Sequence, residues 1–133
     1  MTAACPFCDP APERVCAASD LVLAIRDAFP ISPGHTLIVT RRHVASLAEV
    51  TDAEARAIWA LLGATRAELD RTSKPDGYNV GVNDGAAAGQ TVQHLHVHLI
   101  PRYAGDRPDP RGGVRWIIPE KANYWSVRGA AEG

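Results

Sequence analysis

The chain has 133 residues and the composition of an ordinary globular domain. Apolar residues make up 46% of it and charged residues 22%, and 14 Lys and Arg nearly balance 15 Asp and Glu. The resulting charge of −1 argues against electrostatic binding of nucleic acid. No apolar run approaches the roughly 20 residues that span a bilayer, and the start of the chain lacks an export signal. We therefore expect a cytoplasmic protein without membrane contact, with one domain over residues 1–133.

The first half of the chain predicts short strands followed by one long helix. Residues 15–17 and 21–25 predict a hairpin, residues 35–40 a third strand, and residues 46–50 a helical turn. The segment Thr51-Asp52-Ala53-Glu54 has the pattern of a capping box, so we expect a helix from there to Asp70. Its apolar residues recur at spacings of three and four and predict a face that packs on a sheet; they are Ala55, Ile58, Trp59, Leu62 and Leu69.

The second half predicts two further strands around a glycine-rich loop. Residues 78–82 predict a strand, residues 83–90 the loop, and residues 91–100 a strand with strict alternation that ends at Pro101. We expect an exposed loop at 104–113, a late strand or a segment across the sheet at 114–118, and frayed residues at 128–133. These elements predict an α+β domain with an antiparallel sheet of about five strands, one long helix and a shorter helix.

Three histidines alternate with apolar residues in the last predicted strand. Because side chains alternate between the two faces of a strand, His94, His96 and His98 should line one face. At a rise of roughly 3.3 Å per residue the outer two lie about 13 Å apart, so all three share a metal ion only if the strand bends sharply. Separate duties are the better interpretation, with one neutral imidazole as nucleophile and its neighbours to orient, protonate or coordinate.

The glycine-rich loop before these histidines favours a phosphoryl substrate. Its backbone N–H groups at Gly85 and Gly89, with the side chains of Gln90 and Thr91, are suited to holding anionic oxygens. The loop lacks the pattern of a nucleoside-triphosphatase phosphate loop.

A Cys-x-x-Cys pair, Cys5 and Cys8, stands near the amino end. In a reducing compartment this spacing indicates a metal site or a redox pair before a structural disulfide, and two idle thiols are the remaining interpretation. Cys16 is left over, and it needs no functional role.

At these residues the sequence resembles the histidine triad (HIT) superfamily. Its signature of three histidines separated by apolar residues stands here from His94 to Ile100, and the surroundings look most like the fragile-histidine-triad branch of dinucleoside polyphosphate hydrolases. The resemblance runs from about Cys5 to Trp125. It implies a HIT-like fold with a zinc knot and nucleotide-binding turn within residues 5–43, a phosphate loop and triad strand within residues 83–106, and a homodimer.

The resemblance also implies roles for single residues. His96 would attack an α-phosphate and become a nucleotidyl-histidine that water then cleaves, and His98 would contact the phosphate and help the leaving group. His35 would support the triad from behind, and Asp27 would receive the ribose hydroxyls. The phosphate oxygens would be held by the loop residues Asn83, Gly89, Gln90 and Thr91.

Some triad proteins carry structural zinc on residues that this chain matches, namely Cys5, Cys8, His43 and His94. Two thiolates and two imidazoles are an ordinary set of zinc ligands. The resemblance implies no organic cofactor. If zinc holds His94, the chemistry is left to His96 and His98.

We therefore expect a nucleotide hydrolase or transferase whose substrate is a purine nucleotide such as a diadenosine polyphosphate, or a nucleoside phosphoramidate. The alternatives are a nucleotide-binding sensor or scaffold with little turnover, and a metal-dependent hydrolase that uses the histidines as ligands. The aromatic carboxyl-terminal stretch with Trp116, Tyr124 and Trp125 differs from the fragile-triad branch, and it leaves the base and the leaving group open.

Overall fold

The computed structural model describes residues 5–126 and divides into two compact units, with the boundary between Arg102 and Tyr103. The prediction of frayed residues at 128–133 lies outside the described part, and the single domain over 1–133 stays a prediction. Within residues 5–126, no helix has both the length and the apolar character needed to cross a bilayer.

The first unit contains a five-stranded antiparallel sheet in the order β1-β2-β3-β5-β4. Its strands are β1 (Val15–Ala18), β2 (Val22–Arg26), β3 (Thr36–Thr40), β4 (Gly77–Gly81) and β5 (His96–Arg102). The helix α1 (Asp52–Thr72) lies between β3 and β4 in the chain, and short 3-10 helices span Pro12–Arg14, Leu47–Glu49 and Ala86–Ala88. The sheet with one long helix and short helical turns confirms the predicted α+β class.

Both faces of the sheet carry apolar residues because strands β2 and β3 are buried on both sides. One face packs against α1 and includes Ile38, Val97 and Leu99. The opposite face carries Leu23, Ile25, Leu37 and Val39, and Phe7 from the amino-terminal segment packs against them. Since Val97 and Leu99 belong to the helix side, His96 and His98 lie on the face that the amino-terminal segment covers.

The helix α1 begins where the sequence predicts. The Thr51 hydroxyl accepts from the backbone N–H of Glu54, and the Glu54 carboxylate accepts from the backbone N–H of Thr51. Arg42 also donates to this carboxylate at 2.7 Å, which ties the loop after β3 to the helix. The predicted packing of Trp59 is wrong, since this side chain is 72% exposed. The buried stripe follows Ile58, Leu61, Leu62, Thr65 and Leu69, and Trp59 lies about 100° around the helix from Ile58.

The last strand differs from its predicted bounds at both ends. It begins at His96, because the backbone N–H of Leu95 donates to Val44 O at 2.7 Å, in the loop after β3. It continues through Pro101 to Arg102. Pro101 lies beyond Leu99, the last residue of β5 that pairs with β3, so the sheet does not need its missing N–H on that side. Its carbonyl points to the same side and accepts from the Ser32 hydroxyl.

A tight turn between β2 and β3 depends on Gly34. Glycine is favoured here because φ is +91°, a value that other residues rarely adopt. In addition, a Cβ added at this position would lie only 2.8 Å from Leu69 Cδ2. The turn leads directly into His35, which is 4% exposed.

The second unit contains a 3-10 helix at Gly113–Ile117 and a one-turn helix, α2 (Pro119–Ala122). The predicted late strand at 114–118 is therefore wrong. Gly112 and Gly113 have positive φ and start a helical turn, and the Trp116 ring N–H donates to Arg111 O at 2.8 Å. The guanidinium groups of Arg111 and Arg115 lie over the rings of Trp125 and Tyr124.

Candidate functional site

The structure brings together the four predicted metal ligands. The thiol sulfurs of Cys5 and Cys8 lie 3.3 Å and 3.5 Å from His94 Nδ1, and Cys8 Sγ lies 3.2 Å from His43 Nδ1. One donor atom from each residue lies within 4.8 Å of all the others. Two sulfurs and two imidazole nitrogens converge on one point, so this group could bind a metal ion.

The protonation of the His94 ring is set by the end of β3. Its Nε2 lies 2.6 Å from the carbonyl oxygen of Thr40, and a carbonyl only accepts hydrogen bonds. In the neutral ring Nε2 therefore carries the proton, and Nδ1 presents its lone pair to the two thiols. His94 is fully buried, and this burial lowers its pKa. The ring is held in the tautomer that a metal ligand requires.

His96 is the first residue of β5 and lies opposite Val39 of β3. Its Nδ1 lies 2.9 Å from the carbonyl oxygen of His94, so Nδ1 carries the proton of the neutral ring. The lone pair is then on Nε2. The ring is 8% exposed and packs against Phe7, with 5.0 Å between ring centroids. His96 thus holds an unprotonated ring nitrogen in a fixed orientation.

His98 is oriented by a hydrogen-bonded relay from the turn before β3. The backbone N–H of Ile31 donates to His35 Nδ1 at 3.2 Å, which places the His35 proton on Nε2. This nitrogen lies 3.0 Å from His98 Nδ1 and 3.4 Å from Asp27 Oδ2. His98 Nδ1 is therefore an acceptor, and the proton of the neutral His98 ring is on Nε2. The two strand histidines thus present opposite groups, a lone pair on His96 and an N–H on His98.

His98 is neutral at physiological pH. Its pKa is lowered to about 4, chiefly by burial and also by the nearby imidazoles of His96 and His35, while Asp27 opposes the shift. Burial likewise lowers the pKa of His35, again opposed by Asp27. The relay therefore works with neutral rings.

A second group of possible metal donors, Asp27, His35 and His98, also lies within 4.8 Å. The Ile31 N–H pointing at His35 Nδ1 argues against coordination there, because His35 Nε2 must keep its proton to let Nδ1 accept. This group is a hydrogen-bonded relay. Its geometry gives no support to the alternative function of a metal-dependent hydrolase with the histidines as metal ligands.

A cavity of about 510 Å³ opens beside this relay, and Asp27 and His35 lie in its wall. The Asp27 carboxylate accepts from the backbone N–H of Phe29 at 2.8 Å and is partly exposed. Since a carboxylate offers about four acceptor positions, Asp27 retains capacity for hydroxyl donors. The remaining wall is formed by the turn between β2 and β3: Arg26, Pro30, Ile31, Ser32, Pro33 and Gly34.

The glycine-rich loop is pinned to the segment after β3. Gln90 accepts from the backbone N–H of Gly85 at 2.8 Å and donates to the carbonyls of Ala45 and Val92. Both N–H donors of the amide are used in these bonds, so donation from this side chain to a phosphate oxygen would require breaking one of them. Gly89 has a φ of +91°, Thr91 is exposed and Asn83 is half-buried. The roles of these four residues in phosphate binding stay predictions.

Two contributors to the site are absent from the sequence prediction. The Thr40 carbonyl orients His94, and Phe7 packs on His96 from between the two cysteines. A backbone carbonyl leaves no mark in the sequence. Phe7 does carry a signal, since an apolar residue inside a short Cys-x-x-Cys loop needs a surface to pack against.

Comparison with known proteins identifies relatives over most of the chain. The profile of the HIT domain matches residues 9–105. AP-4-A phosphorylase of Mycobacterium tuberculosis is 39% identical over 93 residues, which are 69% of this chain and 48% of that protein. The asymmetrical bis(5'-nucleosyl)-tetraphosphatase of Schizosaccharomyces pombe is 33% identical over 97 residues, or 73% of this chain and 53% of that protein. The chain thus spans about half the length of these two relatives.

A solved structure has the same fold. A zinc-bound histidine triad family protein from Mycobacterium smegmatis superposes with a TM-score of 0.71 at 31% identity, covering 80% of this chain and 84% of that one. The predicted HIT-like fold is confirmed.

Proposed function

Because the chain belongs to the HIT domain family, we propose that it is a nucleotide hydrolase or transferase that acts through a nucleotidyl-histidine intermediate on His96. The observation that carries this proposal is the opposite protonation of the two strand histidines. A nucleophile needs a lone pair and a leaving group is stabilised by a hydrogen-bond donor, and His96 Nε2 and His98 Nε2 supply one each.

In the first step His96 Nε2 attacks the α-phosphorus, and the bond from phosphorus to the leaving oxygen or nitrogen breaks. The N–H of His98 Nε2 donates a hydrogen bond to the departing atom and stays on the ring. A leaving phosphate oxygen departs as the anion, and a leaving nitrogen takes its proton from solvent water. The nucleotidyl-imidazolium that forms keeps its Nδ1 proton, and the His94 carbonyl oxygen at 2.9 Å stabilises the positive charge.

In the second step water attacks the same phosphorus and the bond between His96 Nε2 and phosphorus breaks. The water gives one proton to the product phosphate or to solvent, and His98 Nε2 keeps its own proton and orients the attacking water. His96 is released as the neutral ring with its proton on Nδ1, and the product is a nucleoside monophosphate. Both histidines return to their starting state.

The cavity beside the relay is the proposed nucleoside site. Its volume of about 510 Å³ is within the usual range for small-molecule pockets of about 300 to 1,000 Å³. Asp27 would accept the ribose hydroxyls there. The names of two relatives, which refer to AP-4-A and to bis(5'-nucleosyl) tetraphosphate, favour a diadenosine polyphosphate as substrate over a phosphoramidate. Asn83, Gly89, Gln90 and Thr91 are proposed to border the phosphate chain, with Gln90 acting by holding the loop.

We further propose that Cys5, Cys8, His43 and His94 hold one structural zinc ion. Tetrahedral zinc with bonds of about 2.3 Å to sulfur and 2.0 to 2.1 Å to nitrogen separates a sulfur from a nitrogen ligand by about 3.6 Å. The observed separations of 3.2 to 3.5 Å are close to this value. When bound, zinc supplies a cross-link between the amino-terminal segment and the loop after β3, and the ion takes no part in the proposed reaction.

Zinc content distinguishes the metal site from a pair of idle thiols. We expect about one equivalent of zinc in the purified protein and in Cys16→Ser, because Cys16 is not among these ligands. We expect Cys8→Ser to lose most of it. Equal zinc content in Cys8→Ser and Cys16→Ser would contradict the assignment.

Homodimer formation and a cytoplasmic location remain proposals. Strands β1 and β4 are the edges of the described sheet, so a second copy has an edge available on which to extend it. Sedimentation equilibrium of the purified chain tests the dimer, and a single monomeric species across the micromolar range would reject it.

Intact-protein mass spectrometry tests the reaction. A His98→Asn variant mixed with a diadenosine polyphosphate should accumulate a nucleotidyl adduct, because the attacking water then lacks the ring that orients it. The double variant with His96→Ala should show none. Protection by the nucleotide against thermal unfolding, with neither adduct nor turnover in the wild-type protein, would instead support the nucleotide-binding sensor.

A further inference from the structure

Phe7 links the candidate metal site to the proposed nucleophile. It lies between Cys5 and Cys8 and is 6% exposed. Its ring centroid lies 5.0 Å from that of His96 and 6.0 Å from that of His94. The same ring packs on the apolar residues of β2 and β3 that line this face of the sheet.

We propose that Phe7 is a positioning residue for His96, and that the metal ligands Cys5 and Cys8 hold it in place; this inference rests on the proposed function of His96. The hydrogen bond to the His94 carbonyl fixes one edge of the His96 ring, and contacts with two neighbouring rings limit its tilt about that bond. The ring centroid of His98 lies 5.2 Å away and that of Phe7 lies 5.0 Å away, and Phe7 is the contact that the amino-terminal segment supplies.

The connection to the metal site comes from how the loop is tethered. Cys5 and Cys8 lie within two residues of Phe7 on either side, and their sulfurs converge on His94 and His43. His94 is itself the residue whose carbonyl orients His96. The metal site therefore fixes the nucleophile twice, through the His94 backbone and through the ring of Phe7.

The first test separates positioning from nucleotide binding. Adduct formation is followed in single turnovers with a diadenosine polyphosphate, in the wild-type protein, Phe7→Leu and Phe7→Ala. We expect the rate constant at saturating nucleotide to fall about 10- to 100-fold in Phe7→Ala and less in Phe7→Leu, because small misplacement of reacting groups carries penalties of this size. The half-saturating concentration should change little. A defect confined to that concentration would show that Phe7 contacts the nucleotide, and it would overturn the proposal.

A matched control removes the effect of lower stability. Ile58 is 7% exposed and packs in the apolar cluster on the helix side of the sheet, so Ile58→Ala also truncates a buried side chain but leaves the His96 face intact. We expect its single-turnover rate constant to stay close to that of the wild-type protein. An equal loss in Ile58→Ala and Phe7→Ala would attribute the effect to general destabilisation and contradict the proposal.

The second test needs no turnover. Nitrogen NMR of the ring-labelled protein should resolve the protonated Nδ1 and unprotonated Nε2 of His96 in the metal-loaded wild type. The two His96 nitrogen signals should be partly averaged in Phe7→Leu, and also in the wild-type protein after chelation. After chelation, Phe7→Leu and the wild-type protein should show nearly the same averaging. Unchanged His96 signals in Phe7→Leu before chelation and in the wild-type protein after it would overturn the inference even if Phe7→Ala does not fold. If His98→Asn forms no adduct and the wild-type protein shows no turnover, the proposed function fails, whereas these spectra still decide the role of Phe7.

Discussion

Three ring protonations follow from hydrogen bonds to backbone groups, because a carbonyl only accepts and an amide N–H only donates. The carbonyls of Thr40 and His94 place protons on His94 Nε2 and His96 Nδ1. The N–H of Ile31 places the His35 proton on Nε2, where it faces His98. Each partner belongs to the fold itself, so the opposite protonation of His96 and His98, on which their proposed roles depend, is present without a bound nucleotide.

The relay through His35 predicts a dependence on the leaving group. In His35→Ala, His98 Nδ1 loses its donor, so the His98 proton is no longer held on Nε2 and the hydrogen bond to the leaving group weakens. We expect roughly a 10- to 100-fold loss of rate with a basic leaving group, which is below the roughly 100- to 10,000-fold that full proton transfer by a general acid contributes. The loss should be small with an acidic phenol ester of AMP, whose leaving group needs little stabilisation. A series of such esters measures this, and an equal loss across the series would contradict the relay.

The identities of the candidate site residues could be predicted from the sequence to a large extent. The alternating pattern predicts that His94, His96 and His98 belong to the site, and the Cys-x-x-Cys pair indicates a metal site or a redox pair. Their protonation could not be predicted, because it depends on carbonyls and amides from distant residues such as Thr40 and Ile31. Nor could the engagement of Gln90 with Ala45, which lies 45 residues earlier in the chain.

Among the secondary-structure elements, β5 and α1 show where local pattern succeeds and where it fails. Alternation predicts a strand from residue 91, whereas hydrogen bonds to the loop after β3 draw residues 91–95 away from the sheet. The start of α1 is predicted correctly because the capping box is a local interaction. The burial of Trp59 is predicted wrongly because the spacing of apolar residues alone does not determine the centre of the buried stripe. The stripe also includes Thr65, a polar residue that the apolar pattern does not count.

The helix cap gives a prediction for stability. Thr51→Ala removes the hydroxyl that accepts from Glu54 N–H, and we expect it to lower the free energy of unfolding by about 1 kcal/mol. Thr51→Ser is the matched control, since it keeps the hydroxyl, and it should cost much less. Urea denaturation measures both, with the slope against urea concentration unchanged. Equal midpoints for wild type and Thr51→Ala would contradict a stabilising cap.

For the described molecule as a whole, the sheet separates stability from chemistry. One face packs on α1, and the other carries His96 and His98 beneath the amino-terminal segment. The group that could bind a metal, Cys5, Cys8, His43 and His94, joins that segment to the loop after β3 and to the residues just before β5. Removal of a metal from this group is therefore expected to loosen the covered face more than the helix side.

Burial of His98 predicts that the folded protein loses stability in mild acid. The unfolded chain takes up this proton near pH 6.5, whereas the folded chain does so only near pH 4. The contribution is therefore fully present above pH 6.5 and is lost as the pH falls toward 4, with an upper limit of about 3 kcal/mol. His98→Asn should lose stability less steeply than the wild type over this range, and the titration of groups that do not contact His98, such as Cys5, Cys8 and His43, cancels in the comparison. If the free energy of unfolding falls equally with pH in the wild type and in His98→Asn, His98 is not held neutral in the folded protein.

The atom that carries the phosphorus in the trapped intermediate tests the account most directly. In ring-labelled His98→Asn protein treated with a diadenosine polyphosphate, coupling between nitrogen and phosphorus in the NMR spectrum identifies that atom. We predict a bond to Nε2 of His96, with the proton still on Nδ1 and shared with the His94 carbonyl. Phosphorus on His96 Nδ1, or on any other residue, would contradict it.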